Sequence, residues 1–217
     1  MNKENAPSFR FLPTFLIRAV LSFFERIAVF FVRLGVSPNT LSVIGLLAGA
    51  AAGLLFFSGE PGWGGLAVVV CGLLDVLDGK VAVRANKKSR YGAIFDSSLD
   101  RYSEFLILMG LAWHFRASWV LWVVFFGFLG STMVSYTRAR AEGLGFDCKV
   151  GIMQRAERII LMATAALLGA AFRVFDPAMT VALCLIAFFS HITAAQRIAY
   201  VRRADKLANV PAGTKEV

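Results

Sequence analysis

Charge is scarce in this sequence. Asp, Glu, Lys and Arg make up 17% of its 217 residues while 58% are hydrophobic, whereas an average soluble domain is roughly 25% charged and 45–50% apolar. That shortage argues against an ordinary soluble domain and for a membrane protein. Cysteine is scarcer still: Cys71, Cys148 and Cys184 are scattered without the spacing of a metal site or a redox pair, and they read as structural or incidental. The opening stretch, MNKENAPSFRFLPTFLIRAV, lacks the clean apolar core and small-residue cleavage site of a signal peptide, so the N-terminus is expected to be retained. No fixed-period repeat, low-complexity tract or nucleic-acid motif is visible, and the membrane part reads as one domain.

What is present is a series of six apolar windows, near 40–58, 63–83, 92–114, 118–138, 156–174 and 178–200. Each is long enough to cross a hydrocarbon core, which needs about 20 residues per helix. Ahead of them, residues 9–34 interleave Arg10, Arg18, Arg26 and Arg33 with Phe, Leu, Ile and Val, the pattern of an amphipathic helix lying at the membrane surface; a seventh crossing is the alternative. Between the two, Gly35-Val36-Ser37-Pro38-Asn39-Thr40 breaks the periodicity, and Asn39 or Thr40 is expected to cap the next helix or to place its polar atoms near a headgroup. The expected fold is an all-α integral membrane protein with six transmembrane helices behind an N-terminal amphipathic juxtamembrane helix. Its expected divisions are 1–35 for the interfacial segment, 36–203 for the membrane domain and 204–217 for a polar tail that frays.

The basic residues set the orientation, because Lys and Arg are retained on the cytoplasmic side. Nearly all of the 23 Lys and Arg fall in the N-terminal segment, the 80–91 loop, the 138–158 region and the C-terminal tail, while the opposite turns hold Arg116 and Arg173. Both termini and any site are therefore expected to face the cytoplasm, across what is expected to be a bacterial inner membrane. The formal net charge of +9 reads as a basic face toward anionic lipid headgroups, not as a nucleic-acid site. The turns at Gly59-Glu60-Pro61-Gly62 and around Asp176-Pro177 are short and almost uncharged, and suggest no chemistry.

The acidic residues are few and oddly placed. Asp75, Asp78, Asp96, Asp100 and Glu104 lie in or beside expected spans, where an ionised side chain costs about 2.5–3.5 kcal/mol on insertion scales. Asp75 and Asp78 stand at i, i+3 and Asp96 and Asp100 at i, i+4, so each pair shares a helix face. Two helices joined by a tight loop can bring these carboxylates to one point, where their mutual repulsion calls for cations; hard divalent ions such as Mg²⁺ prefer carboxylate oxygen. Two such ions about 4 Å apart can clamp the attacking and leaving oxygens of a phosphoryl displacement. Gly79 and Gly92 leave room for close approach of a ligand or another backbone, and the loop Val83-Arg84-Ala85-Asn86-Lys87-Lys88-Ser89-Arg90-Tyr91 adds cations and a hydroxyl suited to phosphate oxygens. A proton or ion pathway in a transporter is the competing reading of the aspartates.

The stretch DVLDGKVAVRANKKSRYGAIFDSSLD resembles the signature of the CDP-alcohol phosphatidyltransferase family, D-x2-D-G-x2-A-R-x8-G-x3-D-x3-D, with no insertion. Asp75, Asp78, Gly79, Ala82, Gly92, Asp96 and Asp100 fall on its fixed positions; Val83 stands where the family has arginine, with Arg84 next to it as a candidate substitute. The resemblance implies a six-helix membrane fold, a homodimer, an interfacial cavity open to the cytoplasm, and two divalent cations, Mg²⁺ or Mn²⁺. It implies Asp75, Asp78, Asp96 and Asp100 as metal ligands and Asp100 also as the base that takes the acceptor's hydroxyl proton. Gly79, Ala82, Ser89 and Gly92, with Asn39, Ser42 and the neighbouring Arg84, would bind the CDP-lipid, and the alcohol oxygen would attack the lipid-side phosphorus while CMP leaves.

A second polar region, YTRARAEGLG at 136–145 and KVGIMQRAER at 149–158, adds cations near the expected cavity mouth. Arginine forks bind phosphate with two prongs, which favours an alcohol that already carries a phosphate; positive-inside charge alone is the competing account. The region is similar to the subgroup that transfers to inositol phosphate, the phosphatidylinositol phosphate synthases, and the resemblance implies Arg138, Arg155 and Arg197 around the acceptor phosphate with Ser135 against the inositol. Glycerol 3-phosphate, as in a phosphatidylglycerophosphate synthase, is the main competing acceptor. Glu142 and Glu157 are expected to pair with nearby arginines, and Glu104 to cap the polar cluster or meet Arg101. Trp63, Trp113, Trp119 and Trp122 are expected as interfacial anchors. An ion-coupled transporter is the alternative of a different class, but neither an inverted repeat nor a pair of broken mid-membrane helices is visible.

Overall fold

The computed structural model describes the backbone of residues 14–208 and the side chains of residues 24–206. Arg10 of the expected surface helix and residues 209–217 of the expected tail lie outside these. The described residues form seven α-helices and no strand: α1 (Thr14–Arg33), α2 (Pro38–Phe57), α3 (Pro61–Arg84), α4 (Arg90–His114), α5 (Val120–Gly143), α6 (Arg155–Ala171) and α7 (Phe175–Ala208). Each apolar window found in the sequence lies on one of α2 to α7. Among the described residues α2, α5 and α7 are long and apolar enough to cross a membrane. Helices α3 and α4, with 24 and 25 residues, have the length but carry the acidic groups of the site, and α6 has 17 residues.

The six helices after α1 close into a ring. Helix α2 packs between α3 and α4, α3 continues to α6, α6 to α7, α7 to α5, and α5 returns to α4, while α1 lies along α3. The tightest seam is between α2 and α4, where Gly53 and Gly110 face each other so closely that a Cβ on Gly110 would run into the Gly53 carbonyl, and one on Gly53 into the Leu106 carbonyl. Small residues allow such approach of helix backbones where lipid offers no hydrophobic drive for association.

The ring has an apolar end and a polar end. Phe56, Val68, Leu111, Phe115, Val124, Met162, Phe175 and Met179 fill the end where α2 turns into α3, α4 into α5 and α6 into α7, with Phe175 stacked on Phe56 at 5.9 Å. The other end holds the C-terminal turns of α3, α5 and α7 and the N-terminal turns of α4 and α6. A smaller cluster of Ala28, Leu41, Leu77 and Val81 seats α1 there, against α2 and α3.

Three local expectations change. The cap of α2 is neither Asn39 nor Thr40 but Ser37, whose side chain accepts from the Thr40 N–H at 3.1 Å. Pro38 decides this: it is favoured at the first helical position, where its missing N–H costs nothing, and it holds the residue before it in extended backbone. Helix α5 continues to Gly143, so the second polar region begins on a helix. Helix α7 runs to Ala208, past the expected end of the membrane domain at residue 203, because Ala, Lys and Leu are good helix formers even after the apolar stretch ends.

Candidate active site

The site is built from the last turns of α3 and the first turns of α4. Asp75 and Asp78 lie one turn apart on α3, and Ser89 starts α4 by accepting from the Gly92 N–H at 2.9 Å, so the short link between the helices sets Asp96 opposite the α3 pair. Asp75, Asp78 and Asp96 each offer an oxygen within 4.8 Å of those of the other two. Asp78 is buried, and its Oδ2 accepts from the Ser42 hydroxyl at 2.6 Å. Asp96 Oδ1 is buried without a hydrogen-bond partner. Three converging carboxylates, one with an orphaned oxygen, are the donor set that a hard divalent cation takes, so the residues present fit such an ion.

Asp100 lies one turn beyond Asp96 and faces a cation of the protein itself. Arg155, at the start of α6, places Nη2 2.9 Å from Asp100 Oδ1 and ion-pairs through Nη1 with Asp75. Its guanidinium thus joins α3, α4 and α6 at the site, and Ser42, Asp75, Asp78, Asp100, Ser103 and Arg155 enclose a space of about 10 Å³, which admits about one water-sized occupant.

One turn deeper runs a second link that the sequence reading missed. Glu104, expected to cap the polar cluster or to meet Arg101, is gripped at both oxygens by Arg158, with Nε to Oε1 at 2.6 Å and Nη2 to Oε2 at 2.9 Å. Both residues are almost wholly buried, at 3% and 1% exposure. Arg158 wins over Arg101 because a fork on the facing helix meets the carboxylate with two parallel hydrogen bonds. The signal was present: Arg155 and Arg158 at i, i+3 match Asp100 and Glu104 at i, i+4, so two rungs align between one face of each helix. Glu157, expected to pair with an arginine, instead accepts from the Gln154 N–H at 3.0 Å and caps α6. Glu142 does pair, accepting from Arg138 Nε at 2.8 Å.

A cleft of about 880 Å³ opens beside the carboxylates, lined among others by Asp75, Asp96, Asp100, Arg101, Ser135, Arg138, Arg155 and Arg197. The four residues expected at the acceptor, Ser135, Arg138, Arg155 and Arg197, are therefore brought together. Arg197 is held in place by backbone: its Nε donates to the Val150 carbonyl at 2.9 Å and its Nη1 to that of Val134. One turn earlier on α7, the Thr193 hydroxyl accepts from the N–H groups of Ile152 and Met153 at 3.2 and 2.9 Å. Together they fasten the 144–154 link to α7, a role without any local sequence signature.

The residues expected around a CDP group are less uniform. Asn39 and Ser89 flank Gly92, where an added Cβ would stand 3.0 Å from Ser89 Oγ and 3.7 Å from Asn39 Oδ1. Gly79 has open space around it, and Ala82 lies one turn further on α3. Arg84 is placed elsewhere: its Nη1 donates to Glu25 of α1 at 3.1 Å, and it lines a separate hollow with Glu25, Lys80 and Val83. The carboxylate of α1 has captured the cation expected to replace the missing family arginine.

The chain matches the CDP-alcohol phosphatidyltransferase family over residues 35–195. It is 33% identical over 190 residues to the phosphatidylinositol phosphate synthase of Mycobacteroides abscessus, covering 83% of this chain and 86% of that protein. With the archaetidylinositol phosphate synthase of Pyrococcus horikoshii it shares 37% identity over 175 residues, covering 80% and 88%. The crystal structure of Mycobacterium tuberculosis phosphatidylinositol phosphate synthase with CDP-DAG bound resembles it with a TM-score of 0.74 at 30% identity, covering 89% of this chain and 98% of that one. The same mycobacterial protein in complex with manganese and citrate gives 0.72 at 29% identity, covering 89% and 93%.

Proposed function

The chain belongs to the CDP-alcohol phosphatidyltransferase family, and we propose that it moves a phosphatidyl group from CDP-diacylglycerol to inositol 1-phosphate and releases CMP. The observation that carries this reading is the cleft in which Ser135, Arg138, Arg155 and Arg197 converge beside the aspartates. A phosphorylated alcohol suits those arginines, because guanidinium forks match phosphate oxygens. The relatives named for phosphatidylinositol phosphate and for archaetidylinositol phosphate have the inositol phosphate in common and differ in the lipid, which supports the acceptor more strongly than the tails.

Asp75, Asp78 and Asp96, with Asp100, would hold two divalent cations, Mg²⁺ or Mn²⁺, whose charge offsets that developing on the pyrophosphate. Ser42 orients Asp78 through its hydrogen bond, and Asn39, Gly79, Ala82, Ser89 and Gly92 form the wall for the CDP group. Asp100 takes the hydroxyl proton of the acceptor at Oδ2 while Arg155 steadies Oδ1. The freed alcohol oxygen bonds to the lipid-side phosphorus, and the bond from that phosphorus to the CMP oxygen breaks. Positioning supplies most of the rate. In this reading α2 to α7 span the membrane, residues 36–203 are the catalytic domain, α1 lies at the cytoplasmic surface of a bacterial inner membrane, and two copies associate.

CMP release by the purified protein with CDP-diacylglycerol and Mg²⁺, offered inositol 1-phosphate, glycerol 3-phosphate, free inositol and serine in parallel, tests the proposal. Release with inositol 1-phosphate alone is expected, abolished by EDTA and restored by Mg²⁺ or Mn²⁺. Release with glycerol 3-phosphate alone would overturn the acceptor, and EDTA-resistant release the metal dependence.

A further inference from the structure

The acceptor arginines named above are already engaged by the protein. Arg138 bonds to Glu142, Arg155 to Asp75 and Asp100, and Arg197 to two backbone carbonyls. Arg101 lines the same cleft in a different condition. Its Nε and Nη1 are buried without a hydrogen-bond partner, as are those of Arg155, but Arg155 still bonds through Nη2 to Ser103 and Asp100, whereas Arg101 makes no hydrogen bond or ion pair among the described residues. The carboxylates that its charge feels most, Glu104 and Asp100, are bound by Arg158 and Arg155 respectively. A guanidinium with idle donors is costly unless something completes its hydrogen bonds, and Arg101 borders the cleft.

Resting on the proposed transfer reaction, we infer that Arg101 is a further substrate-binding residue, whose guanidinium, at the wall of the cleft and engaged by no hydrogen-bonding group among the described residues, takes a phosphate oxygen there. Its position next to Asp100 on α4 puts this contact beside the proton-accepting carboxylate, so that binding the phosphate also sets the acceptor's distance from the base. The phosphate can come from the acceptor's monoester or from the lipid-side phosphate of the CDP-lipid; both present the same oxygens to a guanidinium.

The test compares wild type, Arg101→Gln and Arg101→Lys as full-length protein in detergent with Mg²⁺, varying inositol 1-phosphate and CDP-diacylglycerol separately. A roughly 10- to 100-fold rise in KM for one substrate is expected in Arg101→Gln, with partial recovery in Arg101→Lys. A rise for inositol 1-phosphate assigns the contact to the acceptor, and a rise for CDP-diacylglycerol assigns it to the lipid-side phosphate. Thermal stabilisation by inositol 1-phosphate or by CDP-diacylglycerol, followed without turnover, should weaken in parallel. Unchanged KM for both, or a fall in kcat with both KM values and both stabilisations intact, would overturn the inference and leave Arg101 a structural charge. Wild-type activity keeps the two ideas apart: turnover of glycerol 3-phosphate alone would sink the inositol phosphate reading, while Arg101→Gln should still raise KM for whichever phosphate-bearing substrate is used.

Discussion

The residue with most at stake outside the aspartates is Arg158. A buried ion pair gains little over a well-packed apolar pair, but removal of one partner strands a charge and costs about 3–5 kcal/mol. Arg158→Met is therefore expected to destabilise the protein strongly, by about that amount, and the double variant Arg158→Met with Glu104→Met to recover most of the loss. Thermal unfolding in detergent measures both; equal destabilisation by single and double variants would mean that the pair is not the cause. The contrast with the aspartates explains what could be read in advance. Asp75, Asp78, Asp96 and Asp100 stood out because carboxylates in apolar windows demand compensation and their spacing is local. The Glu104 pairing lies 54 residues apart along the chain, so it depends on which helix faces α4, and the ring order is not written in any one segment.

At the scale of elements, the apolar windows located the helices because burial in lipid and in the ring selects the same residues. They did not reveal how closely the helices approach. Gly53 and Gly110 read as ordinary members of apolar runs, yet they form the α2–α4 seam. Gly110→Leu should prevent α2 from docking on α4, and even Gly110→Ala meets a backbone carbonyl that cannot yield, for a loss of at least about 1–3 kcal/mol. A monodisperse peak on size exclusion with wild-type melting for Gly110→Leu would contradict the seam. The α1–α3 contact is of a different kind. Glu25 and Arg84 are about half exposed, and such pairs contribute about 0–1 kcal/mol. Arg84→Ala should thus leave stability almost unchanged and KM for CDP-diacylglycerol within about threefold; a tenfold rise would show that Arg84 leaves Glu25 to reach the substrate after all. The departure at Val83 was legible in the sequence, but the competing carboxylate on α1, 59 residues away, was not.

Across the whole molecule, two chemistries divide the ring. Trp63, Trp113, Trp119 and Trp122 all sit at the end away from the aspartates, at the starts of α3 and α5 and the end of α4, and each is at least 47% exposed. Tryptophan prefers the membrane interface, where its ring is apolar and its N–H wet. The aspartate end carries Lys87 and Lys88 in the α3–α4 link, Arg90 at the start of α4, and Arg138 and Arg140 on α5, and cations of this kind are retained on the cytoplasmic side of membrane proteins. On the proposed orientation, the same division would let a water-soluble phosphorylated alcohol enter the cleft from the cytoplasm. Single cysteines introduced at the two ends test the orientation, because Cys71 and Cys148 are buried and replacement of Cys184 by Ala removes the half-exposed native thiol. In intact cells a membrane-impermeant maleimide that reaches the periplasm should label Glu60→Cys in the α2–α3 turn. Lys87→Cys in the α3–α4 link should react only after the inner membrane is opened. The reverse pattern would turn the site outward, away from the cytoplasmic pool of phosphorylated alcohols, and would remove the positive-inside argument together with the proposed route of the acceptor.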